Sequence, residues 1–173
     1  MFVDLLSKVL AQYRLDPAGI HGLDHWGRVL ENGRRLAPLT GADPRVLELF
    51  SIFHDACRLS DGSDHDHGPR AAAFVRGLRD EIDLDDDRFA LLVLACDCHT
   101  RGPRFPCDET VLTCLDADRL DIPRVGMWIK PALLFTAAAR SRQLIAWAGG
   151  RAWRGTTPPV RAGEWGMPEG DQR

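Results

Sequence analysis

A histidine and an aspartate stand side by side in the most apolar stretch of the chain, Ile52-Phe53-His54-Asp55-Ala56-Cys57. Burying an ionised carboxylate is costly unless it is paired or binds a cation. Adjacent residues on a helix lie about 100° apart, so both side chains can turn toward one ion over that face. The dipeptide alone is equally compatible with a helix-edge pair satisfied by water or an arginine. Two further positions add to it. His25 stands upstream, at the N-terminal part of an expected helix, and Asp116 downstream in Cys114-Leu115-Asp116-Ala117-Asp118-Arg119-Leu120-Asp121. Two imidazoles and two carboxylates make a mixed nitrogen and oxygen site, suited to Mn²⁺, Fe²⁺, Mg²⁺ or Zn²⁺ rather than to a thiolate-seeking ion. Helical phase leaves the last carboxylate open. Asp116 shares a face with Leu112, and Asp118 shares one with Val111 and Leu115.

These residues need helices to hold them, and the pattern supplies helices throughout. Phe2, Leu5, Leu6, Val9, Leu10 and Tyr13 recur at helical spacing, until Asp16-Pro17 breaks the run. A second helix is expected from Gly22 to Leu36, ended by Pro38 and Gly41. Asp43-Pro44 is a start signal for a third, carrying Val46 through Ala56. The polar run Ser60 to His67 reads as a loop, and Pro69 opens a fourth helix. Asp85 to Asp87 cap a fifth that reaches His99, a sixth spans Asp108 to Leu120, and a seventh Phe135 to Trp147. No segment alternates with period two long enough to predict a strand. The expectation is an all-α helical bundle over residues 1–148, with an irregular tail over 149–173 whose Trp153 and Trp165 dock on the body.

Composition narrows the function classes. The 173 residues are 45% hydrophobic and 27% charged, ordinary for a globular domain, and the net charge of -3 gives no field to collect nucleic acid or an anionic membrane. No apolar run reaches the length of a membrane span. The N-terminus reads as an amphipathic helix carrying Asp4 rather than as a signal peptide, so a cytoplasmic location is expected. The five cysteines are odd in number and lack zinc-ribbon spacing, which predicts reduced thiols.

The order His25, His54-Asp55, Asp116 resembles the H…HD…D signature of the HD superfamily of metal-dependent phosphohydrolases, over roughly residues 20–125. His25 with Arg28-Val29 resembles the first ligand of that family, Phe53-His54-Asp55 its central motif, and Asp116-Ala117-Asp118-Arg119-Leu120-Asp121 its frequent ending. The resemblance implies a helical bundle of the HD type and makes Asp116 the ligand, leaving Asp118 as a salt-bridge partner, for instance of Arg119. Binuclear members place two more histidines between the HD pair and the last aspartate. His67 and His99 stand there in chain order, either for a second metal or to bind substrate, while His21 reads as a helix-entry residue. Arg58, one turn after His54, and Arg101, with Arg104, after His99, are the expected phosphate grips. The implied activity is hydrolysis of a small, nucleotide-like phosphate ester by metal-activated water, with Asp55 orienting the water and His99 giving a proton to the leaving oxygen. One firmly bound metal is expected, for want of a further carboxylate. The alternatives are an HD-type di-iron oxygenase, which needs both His67 and His99 as ligands, and a non-catalytic binding module.

Overall fold

The computed structural model describes residues 2–103 and 106–167, and these form an all-helical protein without strands. Leu5, Leu6 and Val9 bury one face of α1 (Phe2–Gln12). The central helix α2 (Leu23–Thr40) packs against α3 (Pro44–Phe53), α6 (Glu109–Arg119), α7 (Arg142–Trp153) and α8 (Pro159–Gly163). It runs through Pro38 rather than stopping there, and ends at Gly41, whose left-handed φ of 77° lets its N–H reach Ala37 O. Asp43 caps α3 by accepting from Arg45 and Val46 N–H, and Asp85 and Asp108 cap α5 (Asp86–Cys98) and α6 in the same way. α4 (His67–Gly77) lies along α5.

Several expected boundaries move. The third helix ends at Phe53, so His54 to Cys57 form the turn that leaves it. α4 opens at His67, two residues before Pro69. The helix expected from Phe135 begins only at Arg142 and continues past Gly149 to Trp153. The tail is therefore not irregular from residue 149. It completes α7, forms α8 and docks. Trp165 is buried and faces the Phe2 ring at 6.1 Å, while Trp153 stays exposed. A Cβ on Gly27 of α2 would lie 2.3 Å from Pro158 Cγ, so the returning tail fits only over a glycine. Arg161 pairs with Asp24 at 2.6 Å and Arg28 donates to Thr156 O at 3.0 Å, tying the tail to the first turns of α2. No helix among the described residues is long and apolar enough to cross a membrane.

Candidate metal centre

Five helix ends meet at one place. His25 lies in the first turn of α2, and His67 is the first residue of α4. His54 and Asp55 follow the end of α3, His99 follows α5, and Asp118 and Asp121 lie at and just past the end of α6. The HD pair thus reaches the centre from a helix terminus rather than from mid-face.

The ligand-type atoms form two groups that share Asp55. In the first, His25 Nε2 lies 3.0 Å from His54 Nε2, 3.5 Å from Asp55 Oδ2 and 3.5 Å from Asp118 Oδ1. In the second, His67 Nε2 lies 2.7 Å from His99 Nε2 and 3.0 Å from Asp55 Oδ1, and His99 Nε2 is 3.5 Å from the same oxygen. The carboxylate expected to be missing from the second group is therefore Asp55 itself, through its other oxygen. Both groups are buried, with His25 and His54 fully enclosed.

Every histidine in these groups is oriented from behind. Nδ1–H of His25 donates to Asp121 Oδ2 at 2.7 Å, that of His54 to Phe50 O and Ser51 O at 3.1 Å, that of His99 to Cys96 O at 2.7 Å, and that of His67 to Asp64 O. With Nδ1 bonded from behind, each ring turns Nε2 inward, toward the neighbouring imidazole and the Asp55 carboxylate. This is how metal-binding histidines are held. Asp121 is fixed in turn by Arg28 at 2.7 and 3.1 Å. Burial depresses the His54 pKa to about 3 and keeps the ring neutral. Burial opposes ionisation of Asp55, but His54, His21, His25 and His67 around it outweigh that and hold the carboxyl well below its ordinary value. Asp118 is likewise drawn down to about 2, against burial, by His54, Arg124 and His25. A neutral His54 and further imidazoles facing ionised carboxylates in a buried cluster fit a divalent cation of the nitrogen- and oxygen-seeking kind.

Asp116 does not join the cluster. Its Oδ1 accepts Phe135 N–H and its Oδ2 accepts both Thr136 N–H and Thr136 Oγ1–H, each at 2.8 Å. Burial raises its pKa although these bonds pull the other way. It anchors the loop after α6, and Asp118 takes the position at the centre. Arg119 is not the partner of Asp118 but reaches Leu133 O. His99 bonds Cys96 O through Nδ1 and faces His67 Nε2 at 2.7 Å and Asp55 Oδ1 at 3.5 Å through Nε2. Arg58 lies at the second group, its Nη1 3.6 Å from Asp55 Oδ1. Arg101 does not, since it pairs with Asp66 on the surface at 2.5 Å. Arg104 lies outside the described residues.

Two residues at the centre were not foreseen there. His21 is buried with Nδ1 3.0 Å from Asp55 Oδ2, and the His21–His25 spacing of one helical turn was its only signal. Arg124 reaches in from the 3₁₀ turn Ile122–Val125, and nothing local in the sequence marks it. Comparison with models of protein families, with curated proteins and with solved structures finds no match.

Proposed function

We propose that this chain is a metal-dependent phosphohydrolase of the HD type acting on a small phosphate ester. The observation that carries the reading is the single Asp55 carboxylate set between two histidine pairs, one oxygen toward each. His25, His54, Asp55 and Asp118 would hold one ion, and Asp55, His67 and His99 a second. The chain order His25, His54-Asp55, His67, His99, Asp118 resembles binuclear HD proteins, with Asp118 in place of the expected Asp116. Bound divalent ions supply Lewis acidity, lowering the pKa of a water and polarising a phosphoryl oxygen. The residues of the chain do the rest. Asp55 and Asp118 present fixed charge toward the water, the Nδ1–H bonds keep the four imidazoles from turning, and Arg58 offsets anionic charge beside the second group. The net charge of -3 and the buried centre favour a small molecule over nucleic acid.

The test is a screen of phosphate monoesters, diesters and nucleotides with protein reconstituted in Mn²⁺, Fe²⁺, Mg²⁺ or Zn²⁺. Hydrolysis that chelator removes and metal restores is expected. A second reading, a di-iron oxygenase, is favoured by one specific observation, the presence of both His67 and His99 in a ligand group. Oxygen uptake by iron-loaded protein, without ester hydrolysis under any metal, would select it. Metal binding with neither activity would leave a binding module.

A further inference from the structure

One guanidinium at the centre is fixed in place yet keeps N–H groups uncommitted. Arg124 Nε–H donates to Ile20 O at 3.0 Å and Nη1–H to Asp121 O at 3.2 Å, so carbonyls from two separate segments set its plane. From there Nη1 lies 3.9 Å from Asp118 Oδ1 and Nη2 lies 3.9 Å from Asp55 Oδ2. Both separations exceed hydrogen-bond range. Asp121 does not need Arg124 as its counter-charge, because Arg28 already grips both of its oxygens. The remaining close neighbour is His21 Nδ1, 3.2 Å from Nη2.

The two oxygens that Arg124 faces are the ones that join His25 and His54 in the first group. They also mark its opening. The side chains of Asp118 and Arg124 are 19% and 10% exposed, against 0% for His25 and 3% for Asp55, so solvent reaches the group past Asp118 and Arg124. Arg58 is fixed in the same way, by Ser60 O and Gly62 O, but stands on the other side of Asp55, its Nη1 3.3 Å from His67 Nε2 at the second group and not at the opening of the first. A rigid fork of N–H donors at the mouth of a metal-type site matches the geometry of a phosphoryl oxygen pair.

We propose that Arg124 is the residue that grips the phosphoryl oxygens of the substrate at the mouth of the first group. This assignment rests on the phosphohydrolase reading. Its fork is already positioned by Ile20 and Asp121, so little freedom is lost when an oxyanion binds.

The probe is inorganic phosphate, titrated calorimetrically into Mn²⁺-loaded protein, with metal per chain measured in parallel. The proteins compared are the wild type, Arg124→Gln, Arg124→Lys and, as a surface control, Arg101→Gln. Arg124→Gln is expected to keep its metal and weaken phosphate binding roughly ten- to a hundredfold, the loss of a charge-assisted pair of hydrogen bonds. Arg124→Lys should fall between, and Arg101→Gln should match the wild type. On an aryl phosphate monoester, KM should rise more than kcat falls. Should Arg124→Gln fail to fold, Arg124→Lys reads the same effect, weaker phosphate binding with metal intact. Unchanged phosphate binding in Arg124→Gln or Arg124→Lys overturns the assignment while leaving the phosphohydrolase reading standing. Loss of metal together with phosphate also overturns it, because Arg124 would then be holding the ligands rather than the substrate. If Mn²⁺-loaded wild type neither binds phosphate nor hydrolyses any ester, both fall.

Discussion

His25 Nε2 and His54 Nε2 face each other across 3.0 Å while both Nδ1–H groups are spent, one on Asp121 and one on backbone carbonyls. Two lone pairs at that distance repel, and a cation placed between them relieves the repulsion. Metal and proton therefore compete for one place. His54, Asp55 and Asp118 already lack a proton at neutral pH, so metal affinity should hold there and fall only as the pH is taken into the acid range. The metal-free protein adds a second dependence. His54 is held near a pKa of about 3, below its ordinary 6.5, so the unfolded chain takes up the proton first. Where the unfolded state binds more protons, stability rises with pH. Stability is thus fully present above about 6.5 and is lost as pH falls toward about 3, with Asp55 and Asp118 adding to the loss at the acid end. Melting temperature of the chelator-treated protein, followed from neutral pH to pH 4.5 or so, measures this; a flat profile would contradict the burial of a neutral His54.

Asp55 is the one side chain common to both ligand groups. Asp55→Ala should abolish binding at both. His67→Ala and His99→Ala should lower the metal count while leaving the His25 and His54 group loaded, and His54→Ala should do the reverse. Elemental analysis of metal per chain in the four variants checks the scheme. Full occupancy in His67→Ala and His99→Ala would show that these two histidines bind something other than a metal.

Asp116 and Asp118 sit two residues apart and do different work. Asp116→Asn keeps the size but sets its amide NH2 against either the Phe135 or the Thr136 N–H, leaving one buried backbone donor unpaired. That should cost about 2–3 kcal/mol of stability. Asp118→Asn removes a partly exposed carboxylate with no such bonds, so metal affinity should drop with little change in folding. Urea denaturation and metal titration of the two variants separate the roles. The reverse pattern would restore Asp116 as the ligand.

That distinction also marks how far the sequence could be read. The His54-Asp55 pair and His25 were legible as candidates, the pair because a carboxylate in an apolar stretch needs a partner and His25 because it adds a second imidazole upstream, although the dipeptide alone fitted a helix-edge pair equally well. The all-helical fold was legible from periodicity and from caps such as Asp43 and Asp85. Asp116 against Asp118 was not, because the deciding partners, Phe135 and Thr136, lie in a loop nearly twenty residues downstream. His21 and Arg124 meet only after folding, from opposite ends of the motif-bearing region. In the sequence Gly149 reads as the start of an irregular tail. It lies inside α7, where a Cβ on Gly149 would press on Ile129 at 3.1 Å, so close packing rather than helix propensity decides that position.

Gly68 sets the distance between His67 and His99. It follows His67 in the first turn of α4, where α4 crosses the C-terminal end of α5. A Cβ there would meet Cys96 O at 2.8 Å, Asp97 O at 3.0 Å and Thr100 Oγ1 at 3.0 Å. Two of those atoms are backbone carbonyls of the last turn of α5 and cannot swing aside. Gly68→Ala must therefore push the start of α4 away from α5, and His67 moves with it while His99, bonded to Cys96 O, stays. Overpacking of this kind costs about 1–3 kcal/mol. The second ligand group should loosen and the first, built from α2, α3 and α6, should not. Gly68→Ala is thus expected to bind metal at the His25 and His54 group with wild-type affinity, to lose affinity at the His67 and His99 group, and to melt earlier. Metal titration read alongside thermal denaturation tests this. Wild-type behaviour at both groups would mean that the α4–α5 contact yields without moving His67, and that the second group does not depend on this approach.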